Sequence, residues 1–156
     1  MLLNFNQLFP QLPDTSRVWL YVSDRPFDAT ESNYIQDVLS DFTQNKWATH
    51  GTKLMASGSV LMNQLVILAV DEEVLNASGC SIDSSVRLMK QLGTELKVDF
   101  FNRLFVLISK ESEIKRVHFQ DLNQYADWKL LNPMVSSLEE VRNRFLIDVK
   151  ESNLFR

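Results

Sequence analysis

An α+β fold is what the 156-residue sequence predicts, and three observations lead there. Apolar runs of strand length at 17–22, 65–70 and 103–108 are separated by stretches whose apolar residues recur at helical spacing. A polar Met62-Asn63-Gln64 stretch between two strand-like segments reads as a hairpin turn. Read along the chain, the order is strand, helix, strand, strand, helix, strand. That order is the ferredoxin-like βαββαβ arrangement, an antiparallel sheet with two helices on one face. Residues 17–109 are assigned to this core and 110–156 to a C-terminal α/β extension, within a single domain spanning 1–156.

The elements follow in order. Leu2, Phe5, Leu8, Phe9 and Leu12 share one helical face before Pro10 and Pro13 interrupt it, so a short amphipathic turn should dock on the core. A partner-binding arm is the functional alternative. Arg17-Val18-Trp19-Leu20-Tyr21-Val22 is the first strand, rich in β-branched and aromatic residues. Asp28 and Glu31 stand at capping-box spacing, and Tyr34, Ile35, Val38, Leu39 and Phe42 mark the face of a helix running to about Trp47. His50-Gly51 closes it, with Gly51 as the C-terminal breaker. Residues 53–61 form a weaker strand because Ala56, Ser57, Gly58 and Ser59 lack β-forming bulk. Ile82, Val86, Met89, Leu92 and Leu96 define a second helix, starting near Ile82 with Ser81 or Asp83 as its cap and ending between Gly93 and Lys97. Beyond the 103–108 strand, Lys110-Glu111-Ser112-Glu113 is a polar turn leading to a short strand at 117–119. Ser137-Leu138-Glu139-Glu140 opens a last helix with Leu138, Val141 and Phe145 inward, and Trp128, Leu130, Leu131 and Met134 indicate that the tail packs.

Composition removes several functions. The net charge is −4, which gives no basic footprint for nucleic acid or an anionic membrane surface. No apolar run approaches membrane length, and one cysteine cannot form an internal disulfide framework. With no basic leader, the expected location is the cytoplasm. No phosphate loop, dinucleotide fingerprint or hydrolase elbow occurs, so no cofactor is expected and ATP hydrolysis by a P-loop is excluded. Cys80, His50 and His118 show no metal-ligand spacing, so no metal site is expected.

Chemistry concentrates in residues 71–84. A crossover helix returns the chain to the end where the first strand began, so Trp47, His50, Asp71, Glu72, Cys80 and Asp83 should gather at one edge of the sheet, with Arg17 and Lys110. Cys80 as nucleophile, His50 as base and Asp71 or Asp83 as the orienting acid would make a thiol site. The other reading is a ligand-holding turn, with Ser78, Gly79, Ser81, Asp83 and Ser84 presenting a helix N-terminus to a small anionic ligand and Trp47 and Glu72 at its rim. Gly79 would permit a left-handed turn or a close approach of ligand to backbone. Cys80 itself should be partly buried and slow to react, because apolar packing and the neighbouring acids oppose its thiolate. A protein partner or a homodimer through the sheet or tail completes the set of expectations.

The set Trp47…His50-Gly51, Val70-Asp71-Glu72 and Ser78-Gly79-Cys80-Ser81-Ile82-Asp83 resembles a family of short proteins from Bacteroidetes-type bacteria, whose members are often labelled ABC transporter ATPases. The resemblance covers most of the chain from Val18 onward and is most specific at 78–83. It implies a bacterial cytoplasmic protein. The ATPase label requires a phosphate loop that this chain lacks, so that activity is not carried over.

Overall fold

The computed structural model describes residues 3–152, so the expectation for Leu2 lies outside the described residues. Strand β1 (Arg17–Val22) and strand β4 (Ala56–Leu61) flank a central strand, β5 (Leu65–Val70), which runs antiparallel to both. The predicted order, with 65–70 between the first two strands, is present. All six residues of β5 are buried because both of its faces are covered, which is why the sequence there is continuously apolar. Helices α1 (Ala29–Asp41) and α2 (Gly79–Leu96) cover one face, where Ile35, Leu39, Met89 and Leu92 meet Val66, Leu68 and Val70. Gly58 allows this approach: a Cβ there would lie 2.9 Å from Leu68 Cδ2 and 3.3 Å from Leu39 Cβ. Of the small residues that made β4 look weak in the sequence, Gly58 is the one that seats α1 against it, whereas the Ser57 hydroxyl accepts from Gln11 Nε2 of the N-terminal arm.

The fourth strand departs from the ferredoxin-like expectation. Strand β6 (Phe105–Lys110) does not pair with β1; it belongs to a second antiparallel sheet with β7 (Glu113–His118), β8 (Lys129–Leu131) and β9 (Leu146–Asp148), in the order β7-β6-β8-β9. The break in the architecture therefore falls before β6, not after 109. Contacts at the two ends of the β1 edge account for it. Val18 N–H donates to the Ser136 carbonyl at 3.0 Å and the Ser16 carbonyl accepts from Leu138 N–H at 2.8 Å, so one end of the β1 edge is already occupied. At the other end Asp24 N–H donates to the Asp99 carbonyl at 3.1 Å, and Asp99 N–H returns to Asp24 Oδ1 at 3.0 Å. Meanwhile β6 and β7 form a tight hairpin, a local pairing that closes a short loop.

Helix α3 (Leu138–Arg144) packs Leu138 and Val141 on the second face of β5, beside Leu107 of β6 and Phe145. Ser137 and Glu140 form a capping box that satisfies the first turn, at the place where the sequence predicts a helix to open. Met134 is an exception to the expectation of a fully packed tail, being 72% exposed. The N-terminal arm also docks, through buried Phe9 and Leu12 and partly buried Phe5 and Leu8, but as successive turns and not a helix. Phe9 adopts φ 51, a left-handed conformation that ends helical propagation.

The Asp28/Glu31 capping box that starts α1 is present, with Glu31 N–H donating to Asp28 Oδ1 at 2.8 Å. Arg25 grips both Glu31 oxygens, at 2.9 and 2.7 Å, and donates to the Leu96 carbonyl at 2.7 Å, so it ties the start of α1 to the end of α2. The Arg25 guanidinium, helped by the Asp28 backbone N–H, lowers the Glu31 carboxyl from its ordinary 4.5 to about 2. A carboxylate with a depressed folded-state pKa stabilises the protein fully above its unfolded value and ceases to do so as pH falls through the folded value. Loss of this contribution is therefore expected between pH 4.5 and about 2. Carboxyl-carbon NMR titration should place Glu31 low in the native protein, and Arg25→Ala should move it back toward the ordinary range.

Candidate functional site

Helix α2 begins at Gly79, three residues before the predicted start, because Ser78 and not Ser81 or Asp83 is its cap; the Ser78 hydroxyl accepts from Ser81 N–H at 3.2 Å. Cys80 consequently sits inside the first turn, on its solvent face, and is exposed, contrary to the expectation of partial burial. Ser81 turns inward instead: it is buried and its hydroxyl donates to the Ala48 carbonyl at 2.7 Å. Ser84 donates back to the Cys80 carbonyl at 3.0 Å, and Asp83 pairs with Arg87 one turn on at 3.5 Å. Gly79 does not have a left-handed backbone, so a left-handed turn is not its role, and no atom lies within 4 Å of the place of a Cβ there.

Trp47 is fully buried. Its indole N–H donates to the Ser81 carbonyl at 2.8 Å, its ring stacks on Phe42 at 5.2 Å, and it meets Trp19 edge-on at 5.7 Å. The Arg17 guanidinium covers the Trp19 ring at 4.8 Å and lies 4.0 Å from Glu72, whose other oxygen accepts from Ala77 N–H at 2.9 Å. Asp71 Oδ1 accepts from Glu73 N–H at 3.0 Å. Arg17, Trp47, Glu72 and the start of α2 thus do come together, as a set of contacts that shapes the 71–78 loop and pins the helix. Lys110 lies in the second sheet, paired with Asp127 at 2.5 Å.

His50 does not close a helix. Strands β2 (Ala48–Thr49) and β3 (Thr52–Lys53) form a small hairpin, and His50 (φ 49) and Gly51 (φ 80) are the two left-handed residues of its turn. The His50 side chain is exposed, and among the described residues no hydrogen bond or ion pair joins it to Cys80, Asp71 or Asp83. No cluster of three or more His, Cys, Asp or Glu side chains suited to a metal ion occurs among the described residues. Because Cys80 stands free on the surface, iodoacetamide should modify it in the folded protein without prior unfolding. The rate should rise less than about threefold in denaturant and change less than about twofold in His50→Ala. Protection until unfolding would contradict the exposed position.

A concavity with a mainly apolar lining lies elsewhere, in the gap left where β6 parts from β1. It is an apolar cleft of about 330 Å³, within the range of small-molecule and peptide sites. Leu20 and Val22 of β1 form one wall, Phe105 and Leu107 of β6 another, and Phe145 and Met134 contribute from the C-terminal segment. Asn102 and Arg103 line it as well, with Tyr21. Asn102 Oδ1 accepts from Leu104 N–H at 3.1 Å, which leaves its amide N–H groups to donate. Arg103 is exposed and makes no hydrogen bond or ion pair among the described residues. Its charge does reach Tyr21, which also lines the cleft: burial raises the Tyr21 phenol above its ordinary range, while the Ser85 hydroxyl and Arg103 act against that rise.

Comparison with protein-family models, curated proteins and solved structures finds no match for this chain.

Sequence reasoning missed this cleft entirely. Leu20, Val22, Leu65, Phe105 and Leu107 read only as strand residues and Arg103 as the start of a strand, while Phe100, Asn102 and Pro133 belong to no predicted element. The one available signal was the placement of a polar Asn102-Arg103 pair between Phe100-Phe101 and an apolar run. No helix of the described residues is long and apolar enough to cross a membrane.

Proposed function

We propose that the protein is a binding module whose guest occupies the β1–β6 cleft: an apolar molecule carrying one acidic group. The observation that carries this reading is the pairing of a 330 Å³ apolar recess with a single uncommitted guanidinium at its margin. Apolar burial supplies affinity, and a cation without an internal partner selects an anion and fixes its orientation. The corresponding view of the fold is a ferredoxin-like βαββαβ core whose fourth strand has left the sheet, so that the recess occupies the place of a strand.

The thiol-enzyme reading, with Cys80 attacking and His50 as base, and the reading of the Ser78–Ser84 turn as an anion holder draw support from the exposed thiol alone. The cleft has volume, apolar lining and a charge together, and it is the stronger candidate. Titration with 1-anilinonaphthalene-8-sulfonate, an apolar anion, provides the test. Saturable binding to the native protein is expected, weakened in Arg103→Gln and lost in Val22→Trp, which fills the cleft from the β1 wall. Binding that is unchanged in Val22→Trp would refute the assignment.

A further inference from the structure

The main chain of β1 carries a second property of this cleft. In an antiparallel strand, the N–H and C=O of alternate residues point to opposite neighbours. Ser23 N–H donates to Gln64 on the β5 side at 2.8 Å, whereas Val18 and Asp24 N–H donate outward to Ser136 and Asp99. Leu20 and Val22 share the even parity of Val18 and Asp24, so their N–H and C=O groups point outward too, and none has a partner among the described residues. Both residues line the cleft. Across it, β6 is laddered to β8 only at Ile108 and Ser109, so the 105–107 half of that strand is paired on its β7 side alone.

We propose that the guest is an extended peptide that adds to β1 as a strand, pairing with Leu20 and Val22, and that its free C-terminal carboxylate meets Arg103. This rests on the cleft being the binding site. The exposed main-chain groups are those that strand addition uses, and alternate guest side chains would enter the apolar recess while the others face out. The length of the guest is limited. The outward bonds of Val18 and Asp24 close the edge at both ends, so the open stretch holds about three or four extended residues at about 3.4 Å each. A slot closed at both ends suits a chain terminus better than the middle of a long strand. Of the two termini, only the carboxylate complements the unpaired guanidinium of Arg103.

The test uses the full chain and an array of acetylated tetrapeptides with apolar residues at alternate positions. It is made with free and with amidated C-termini, and read by displacement of 1-anilinonaphthalene-8-sulfonate. Free-acid peptides are expected to displace the dye. Amidation, or Arg103→Gln, should weaken the best of them by about tenfold, with the two changes not additive. Single N-methylation should abolish binding at alternate backbone positions and be tolerated at those between, the signature of one paired edge. Dye binding in the cleft with no displacement by any peptide would overturn strand addition and leave the cleft reading intact. Peptide binding with N-methylation tolerated throughout would do the same. Failure of the dye itself to bind the cleft would remove both.

Discussion

Trp47→Ala should be among the most damaging single substitutions in the protein. The side chain is fully buried between Phe42, Trp19 and the start of α2, and truncation would leave a cavity and remove the indole N–H bond to the Ser81 carbonyl. Emptying a buried tryptophan site costs about 3–5 kcal/mol, and the lost hydrogen bond belongs to the same deletion. Trp47→Phe keeps most of the apolar volume and loses the indole N–H, so it should cost about 1–2 kcal/mol. Urea denaturation followed by far-ultraviolet circular dichroism gives both values without relying on the fluorophore being removed. A loss below about 1.5 kcal/mol for Trp47→Ala would show that the contact is looser than it looks. Three features of the candidate thiol site depend on this one side chain: the position of the 71–78 loop, the first turn of α2 and the β2–β3 hairpin. Trp47 is 0% exposed, and its contacts in the structure are with Phe42, Trp19 and the Ser81 carbonyl.

The second large effect is expected at Arg142, for a different reason. Its side chain is 12% exposed, and its guanidinium serves the N-terminal arm. Nη2 donates to the carbonyls of Leu8, Phe9 and Leu12 at 3.0, 2.6 and 2.8 Å, Nε donates to Leu8 at 3.1 Å, and Nη1 meets Asp14 Oδ1 at 2.7 Å. The arm has no regular secondary structure, so no ladder satisfies these carbonyls; that of Phe9 also accepts from Leu12 N–H at 2.9 Å, while those of Leu8 and Leu12 rely on Arg142. Arg142→Ala should cost about 2–4 kcal/mol, most of it the cost of leaving buried acceptors unpaired. Arg142→Lys should rescue little, because an ammonium cannot reproduce a planar fork that reaches four acceptors. Limited proteolysis should then cut within residues 3–16 before any site in the sheets. Wild-type resistance in Arg142→Lys would show that charge, and not the fork, secures the arm.

What could be read from the sequence divides along physical lines. Local signals were legible. Asp28 with Glu31 is a capping box in sequence and in structure, a helix opens at Ser137 in both, and the runs 17–22 and 65–70 are strands with those bounds. The start of α2 was misplaced because Ser78 and Ser81 are equally good caps by residue type, and the apolar periodicity begins only at Ile82. The β2–β3 hairpin was invisible because two strands of two residues each carry no alternation to detect, and a glycine after a helix ordinarily reads as its end. The hardest matter was the partner of β6. Its apolar run reads the same whether its neighbour is β1 or β8, since pairing is decided by segments far away in sequence, here Ser136–Leu138 and Asp99. The cleft exists because of that choice, so it could not be read from any local pattern.

The alternation along β1 also divides its amides by how they meet solvent water. Trp19 and Tyr21 point their N–H groups into the ladder with β5, the most buried strand of the described residues, whereas Leu20 and Val22 point theirs into the open gap. Deuterium should enter this strand unevenly, quickly at Leu20 and Val22 and only on larger opening at Trp19 and Tyr21. A strand ordinarily reports one opening free energy; this one would report two, interleaved residue by residue, and any occupant that pairs with the gap would merge them into one.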